Sequence, residues 1–273
     1  MPYLNETFKA LLKEAQFTNE MLGSGATQIR SANYGSKGVY FQAFSSLSTG
    51  LERIGKLCLM LDHYIETRGS FPDLRYMKRE IGHRISLLYE KSQDVLKRRS
   101  LVLGHLQDLT NPVHQAIVKI LHDFAEGDRY SNIDLLIGST HSTDPIAEWF
   151  RQVDLPLFNT QVSERKKQRI ALNASITVES LQSHSFVLHT SETGGEITDL
   201  QEASHRTGVY ESVSPYRQLY VLQVIRYWAE LISELGSIAQ RTGNENIPYF
   251  GELFAAFKSS DSMLRSRKTW DGR

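Results

Sequence analysis

The chain has a single cysteine, Cys58, in 273 residues. One thiol makes no intramolecular disulfide, and a structural zinc site built from thiolates is excluded by count. Cys58 stands beside Leu57, Leu59 and Met60, the surroundings of a small buried hydrophobe rather than a reactive thiolate. Net charge is also lacking, because 31 Lys plus Arg balance 31 Asp plus Glu. The molecule as a whole therefore exerts no attraction on a polyanion, and any such site has to be a local basic patch. No apolar run approaches the roughly 18 residues that span a bilayer. The opening stretch Met1–Lys13 is broken by Asn5, Glu6 and Lys9 and has no signal-peptide core. A cytoplasmic protein without membrane contact is expected.

The common catalytic signatures are missing too. Gly23-Ser24-Gly25 has no P-loop lysine and no strand before it, so it reads as a helix stop. There is no His-Glu-x-x-His pair and no Gly-x-Ser-x-Gly elbow. The nine histidines do not cluster at metal-ligand spacing, His184 and His189 being the nearest approach. No metal and no cofactor are expected.

What the sequence does carry is helical periodicity. Apolar residues make up 40% of the chain, an ordinary globular share. Phe8, Leu11, Leu12, Ala15 and Met21 mark a first amphipathic helix. Leu47, Leu51, Ile54, Cys58, Leu61 and Ile65 recur in steps of four and three and build the clearest stripe, closed by Gly69. Gly50 and Gly55 lie inside that stripe. Each costs about 1 kcal/mol relative to Ala in a helix interior, which implies a second backbone passing close by.

Prolines then punctuate the pattern. Ser70-Phe71-Pro72, Asn111-Pro112, Asp144-Pro145 and Ser214-Pro215 each place a capping residue at or near a proline suited to a first helical turn. Helices are expected after each, with another over about 159–183 and a short closing one through Phe250, Phe254, Phe257 and Met263. The segment Phe186–Thr190, Gly194-Gly195 and Ile197 fits a short β-hairpin or a plain loop. From Arg265 onward a basic, frayed tail is expected. The small polar stretch 138–143 is the best boundary, giving portions 1–140 and 141–273 that fold as two domains or as one.

Three short segments bear on function. They are Gly50-Leu51-Glu52-Arg53-Ile54-Gly55-Lys56, then Lys78-Arg79-Glu80-Ile81-Gly82-His83-Arg84-Ile85, then Asp128-Arg129-Tyr130-Ser131-Asn132. A Glu-Arg-x-x-Lys helix, a Gly-His-x-x-x-Leu-Leu helix and an Arg-Tyr segment in this order resemble the HEPN superfamily, helical domains of abortive-infection, toxin–antitoxin and related defence proteins. The resemblance covers residues 36–135 and leaves 145–273 unexplained. It implies an antiparallel bundle of about four or five helices, often dimeric. Some members are metal-independent ribonucleases, whereas others are inactive and bind nucleotides or partner proteins.

Active members pair an Arg with a later His, with four to six residues between the two. Such a His moves the 2′-hydroxyl or leaving-group proton while the Arg stabilises the pentavalent phosphorus. In this chain Arg79 and His83 stand one residue short of that spacing, and Arg98 and Arg99 reach it with His105. His83, Arg98, Arg99 and His105 are therefore the catalytic candidates, and Glu52, Lys56, Arg129 and Tyr130 the ligand-binding ones. Each has a structural reading beside the functional one. Glu52 and Lys56 are a favourable i, i+4 ion pair, His83 fits a packing histidine, and Arg129 fits a residue bonding the last carbonyls of a helix. Arg165-Lys166-Lys167 with Arg169, like Lys97-Arg98-Arg99, is a solvated face or a phosphate-contacting stripe.

The expectation is an all-α protein, a HEPN-like bundle followed by a second helical portion. It would bind RNA, a nucleotide or a partner protein in a defence or regulatory system without catalysis. The alternatives are a metal-independent HEPN ribonuclease and a dimerising helical adaptor with no small ligand. The ligand readings require Lys56, His83 and Arg129 to meet in one cleft.

Overall fold

A computed structural model describes residues 5–81, 84–138, 143–181, 186–242 and 246–270. Helix α1 (Glu6–Ser31) starts at Asn5, whose side chain accepts a hydrogen bond from the Phe8 amide. It runs straight through Gly23-Ser24-Gly25, which is therefore not a stop. The reason lies in packing. Helix α2 (Lys37–Glu66) returns antiparallel after a five-residue connection, 32–36, and the two helices interlock through glycines. A Cβ on Gly25 would lie 2.6 Å from Leu47 of α2, and one on Gly50 would lie 2.7 Å from Leu22 of α1. Each leucine fills the notch left by the opposing glycine, so the close backbone approach expected at Gly50 is present. Gly55 has the same role toward Leu88 and Trp228.

The helix expected after Pro72 is broken into pieces. Asp73, not Ser70, is the cap, accepting from the Tyr76 amide at 2.7 Å to open the single turn α3 (Leu74–Tyr76). A π-helical turn, Met77–Ile81, follows, and α4 (Ile85–Arg99) carries Leu88 and Val95 into the core. Gly82 and His83 lie outside the described residues. Helix α5 (Pro112–Glu126) forms as its signals predict, with Asn111 capping, Pro112 in the first turn and Gly127 closing. Helix α6 (Ser131–Leu136) is short.

Helix α7 (Pro145–Trp149), capped by Asp144, passes through a second π-helical turn, Phe150–Asp154, into α8 (Leu155–Gln161). The helix expected over 159–183 is divided, α9 (Glu164–Leu181) starting only after Val162-Ser163. The hairpin is real and minimal: β1 (His189–Thr190) pairs antiparallel with β2 (Glu196–Ile197), His189 opposite Ile197.

Helix α10 (Leu200–Arg241) is the longest element and corrects a second boundary. Ser214-Pro215 does not start a helix; Pro215 sits inside one of 42 residues. The proline removes the amide that would bond the Glu211 carbonyl, but the defect falls at an exposed residue, Glu211. Burial of the rest of the helix outweighs the defect. Trp228, Ile225, Ile232 and Leu235 are all buried, and α10 packs on α1, α2 and α5 as well as on α8 and α9. Residues from both sides of 138–143 thus share one core.

The closing helix is three short pieces, α11 (Phe250–Leu253), a 3-10 turn (Ala255–Lys258) and α12 (Asp261–Ser266). Phe250, Phe254 and Phe257 are buried as expected, whereas Met263 is exposed. Through residue 270 the tail is not frayed: Trp270 is buried, and its amide donates to Thr27 Oγ1 of α1 at 2.8 Å. Hydrophobic burial and one hydrogen bond to a distant helix override the basic composition that suggested disorder. No helix among the described residues is long and apolar enough to cross a membrane.

The interlocked glycines yield a direct test. Gly50→Ala raises helix propensity yet is expected to destabilise the protein by about 1–3 kcal/mol, because the new methyl meets the Leu22 side chain and also its backbone nitrogen at 3.2 Å. Gly38→Ala, with nothing within 4 Å, is expected to be neutral or stabilising by less than about 1 kcal/mol. Urea unfolding of both variants measures the contrast; equal effects would refute the notch.

Candidate functional site

The four catalytic candidates are not assembled into one site among the described residues. Arg98 and Arg99, in the last turn of α4, both point at the buried carboxylate of Asp62 on α2. Arg98 donates to Asp62 Oδ2 at 2.5 Å and to Glu66 Oε2 at 2.7 Å. Arg99 donates from Nε to Asp62 Oδ1 and from Nη2 to the Asp62 carbonyl at 2.9 Å. These bonds pin α4 to α2 and occupy the donors that a phosphoryl group would need. His105 is held elsewhere, its ring Nδ1–H donating to Glu230 Oε1 of α10 and its backbone amide to Glu230 Oε2 at 3.2 Å. His83 lies outside the described residues.

Of the ligand-binding candidates, Glu52 and Lys56 close an i, i+4 ion pair at 2.6 Å on α2. Arg129 bonds the Ala125 carbonyl at the end of α5, its structural reading, and its guanidinium lies 5.8 Å from the Tyr130 ring. Arg129 does not reach Lys56, so Lys56, His83 and Arg129 do not form the shared cleft that the ligand readings require of them, and those readings lose that site. Phe124, near the end of α5, packs on Phe41 and Phe44 in the first turns of α2. Lys56 lies about 18 Å further along that helix at 1.5 Å per residue.

Two other places have the shape of sites. The first is an open crevice of about 510 Å³ lined by His63, Phe71, Asp73, Arg75, Tyr76 and Arg79. The capping turn at Asp73 and the π-helical turn after it project Arg75, Tyr76 and Arg79 over the last turns of α2. There Tyr76 packs on His63 with ring centroids 4.6 Å apart. Arg75 and Arg79 are exposed, and no carboxylate pairs with either among the described residues. Lys56 stands seven residues before His63, two turns away on the same face of α2.

The second is a cavity of about 250 Å³ in the portion that the motifs did not reach. Its π-helical turn and α8 supply Phe150, Asp154, Leu155 and Phe158, the hairpin supplies Glu192, and one face of α10 supplies Glu202, His205, Arg206, Val209, Tyr210, Val213 and Arg217. Arg217, Asp154 and Glu192 are 1%, 3% and 4% exposed. Arg217 Nε lies 3.2 Å from Asp154 Oδ1, while its Nη1 donates to the Ala32 carbonyl at 2.9 Å and to Tyr40 Oη at 3.0 Å. Asp154 also accepts from the Trp149 indole at 3.2 Å and the Tyr40 hydroxyl at 3.4 Å. Burial pushes the Asp154 carboxyl up to about 6 against the pull of Arg217, and pushes the Tyr40 hydroxyl up as well.

Sequence reasoning missed both places. The crevice hangs on a π-helical turn that helical periodicity does not announce. The cavity had one visible trace, the polar residues Glu202, Arg206 and Arg217 sharing the stripe of Val209 and Val213 on a long helix. Among the described residues no group of three or more His, Cys, Asp and Glu is placed to hold a metal. Comparison of the chain with protein-family models, curated proteins and solved structures finds no significant match.

The Asp154 environment sets a pH dependence. Its folded carboxyl binds a proton more tightly than the unfolded chain does, so the stability it contributes is fully present below about pH 4 and declines as pH rises to about 6. Asp154→Asn removes that titration. The stability of the variant relative to wild type is expected to climb across this window, by at most about 1.4 kcal/mol per pH unit, and to level off above it. Urea midpoints across the pH series would show it; parallel curves would contradict it.

Proposed function

We propose that the protein is a HEPN-like RNA- or nucleotide-binding regulator that does not cleave its ligand, and that it binds through the crevice beside α2. The observation that carries this reading is the pair of exposed guanidiniums, Arg75 and Arg79, without carboxylate partners among the described residues and set beside the half-buried rings of His63, Phe71 and Tyr76. Arginines grip phosphate oxygens in pairs, and aromatic faces stack on unpaired bases irrespective of their identity. Asp73, the one carboxylate in the lining, is already committed to capping the Tyr76 amide. With a balanced net charge, such a local patch is the form that a polyanion site has to take.

Absence of turnover is supported by the engagement of Arg98, Arg99 and His105 in ion pairs and hydrogen bonds that hold helices together. A partner-protein or homodimer reading has one observation on its side. Ile133, Leu136 and Ile137 are all largely exposed on and just after α6. A role in defence or regulation rests on the HEPN resemblance, and the cytoplasm is its proposed compartment.

Fluorescence anisotropy with a short single-stranded RNA and with ATP is the test. Binding should weaken steeply between about 50 and 200 mM salt, and an Arg75→Ala, Arg79→Ala double variant should lose about tenfold or more in affinity at unchanged stability. Both side chains are exposed, so the variant is expected to fold. Affinity untouched by the double variant, or no binding of either probe, would overturn the site. RNA cleavage in EDTA that His83→Ala or His105→Ala abolishes would reinstate the ribonuclease. A concentration-dependent mass without ligand binding would leave the adaptor.

A further inference from the structure

The cavity under the hairpin has a closed polar end, an apolar wall and a polar mouth. At the closed end stands Arg217, 1% exposed and bonded on one side only. Its Nη1 donates to the Ala32 carbonyl and to Tyr40 Oη, which fix the guanidinium in place. Asp154 Oδ1 lies 3.2 Å from Nε but out of line with the N–H, so it supplies charge and no hydrogen bond, and that buried N–H has no acceptor. Nη2 makes no hydrogen bond among the described residues either. Nε and Nη2 share one edge of the guanidinium, the edge on which an arginine takes an oxygen side-on. The wall is formed by Phe150, Leu155, Phe158, Val209 and Val213. At the mouth Arg206 already bridges two carboxylates, Glu192 at 3.2 Å and Glu202 at 2.9 Å.

A buried donor left without an acceptor is costly, and each such group calls for an explanation. Water explains it poorly. A volume of about 250 Å³ has room for several molecules, and each would need roughly two to four polar partners that an apolar wall does not offer. The same volume exceeds the roughly 150 Å³ that suffices to hold a benzene ring in an apolar cavity. The space therefore suits an apolar body with one acceptor at its end.

We propose that this cavity binds a small uncharged carbonyl compound, a ring-bearing ketone or ester whose oxygen accepts from Nε and Nη2 of Arg217 and whose body lies along the apolar wall. A carbonyl oxygen has two lone pairs and no hydrogen, so it meets both donors and adds none that needs a partner. A carboxylate in its place would bring a negative charge up against Asp154, which lies 3.2 Å from the same Nε. An ammonium would set a second cation on Arg217, and a hydrocarbon would leave the N–H unmet. The site is built from residues 150–217 and does not depend on the crevice beside α2.

Titration calorimetry and thermal shift on the full chain test this with benzylacetone, methyl hydrocinnamate and, as the charged counterpart, hydrocinnamate. A buffer of about pH 8 lies above the range in which Asp154 titrates. At least one of the neutral compounds should raise the melting temperature and bind with a sub-millimolar Kd, and the acid should bind about tenfold more weakly or not at all. The infrared carbonyl stretch of bound benzylacetone should fall below its value in hydrocarbon solvent, because the oxygen accepts from a guanidinium; a ligand held by the wall alone would leave it there. Val209→Trp should fill the cavity and abolish binding, and the infrared band decides the matter if that variant does not fold. Equal or tighter binding of the acid, an unshifted carbonyl band, unchanged affinity in folded Val209→Trp, or no response to either neutral compound at about 5 mM would overturn the proposal.

Discussion

A single guanidinium, that of Arg217, is the meeting point of the fold. It is fully enclosed, and it joins the end of α1 at Ala32, the start of α2 at Tyr40 and the π-helical turn at Asp154 to the middle of α10. A buried charge is tolerated only when its partners are in place, so these four segments have little freedom to settle in any other arrangement. Next to it on α10, Gln218 donates to the Ala26 carbonyl and to the Lys268 carbonyl, drawing the segment before Trp270 onto the same spot. The polar knot lies inside a hydrophobic core that it could not have created, and it selects one packing of that core over its alternatives.

Much of the architecture was legible because local signals and burial agree. α2 has a strong stripe, α5 a stripe and conventional ends, and the structure reproduces both helices. The misreadings share a cause: a local signal was overridden by a distant contact. Gly23 and Gly25 look like a stop until Leu47 is seen to fill the space beside Gly25. Pro215 looks like a start until the burial of Trp228 and its neighbours is weighed against one lost hydrogen bond. The basic ending looks frayed until Trp270 is found stacked near Phe257. None of these partners lies within a helical turn of the residue it explains.

The chemistry was less legible than the fold for the same reason. Arg98 and Arg99 drew attention by their spacing to His105, but spacing says nothing of Asp62, some 36 residues earlier, which takes both. The basic residues of the crevice were in view only as Arg79 within a longer motif. What makes them a patch is the π-helical turn that sets Tyr76 against His63. The cavity is assembled from a turn, a hairpin and a helix face separated by dozens of residues, and only the alternation of charge and aliphatic side chain along α10 hinted at it.

The long separation of these contacts has a consequence for how the molecule comes into being. α1 and α2 are adjacent in the chain and joined by a short connection, so their interlock is a local event. Arg217 reaches Ala32 across 185 residues, and Gln218 reaches Ala26 across 192. Closing loops of that size is the slow, entropically opposed part of assembly. During synthesis the first helical pair must therefore wait, with one oily flank bare, until α10 leaves the ribosome. That interval is when nascent copies are most at risk of sticking to each other.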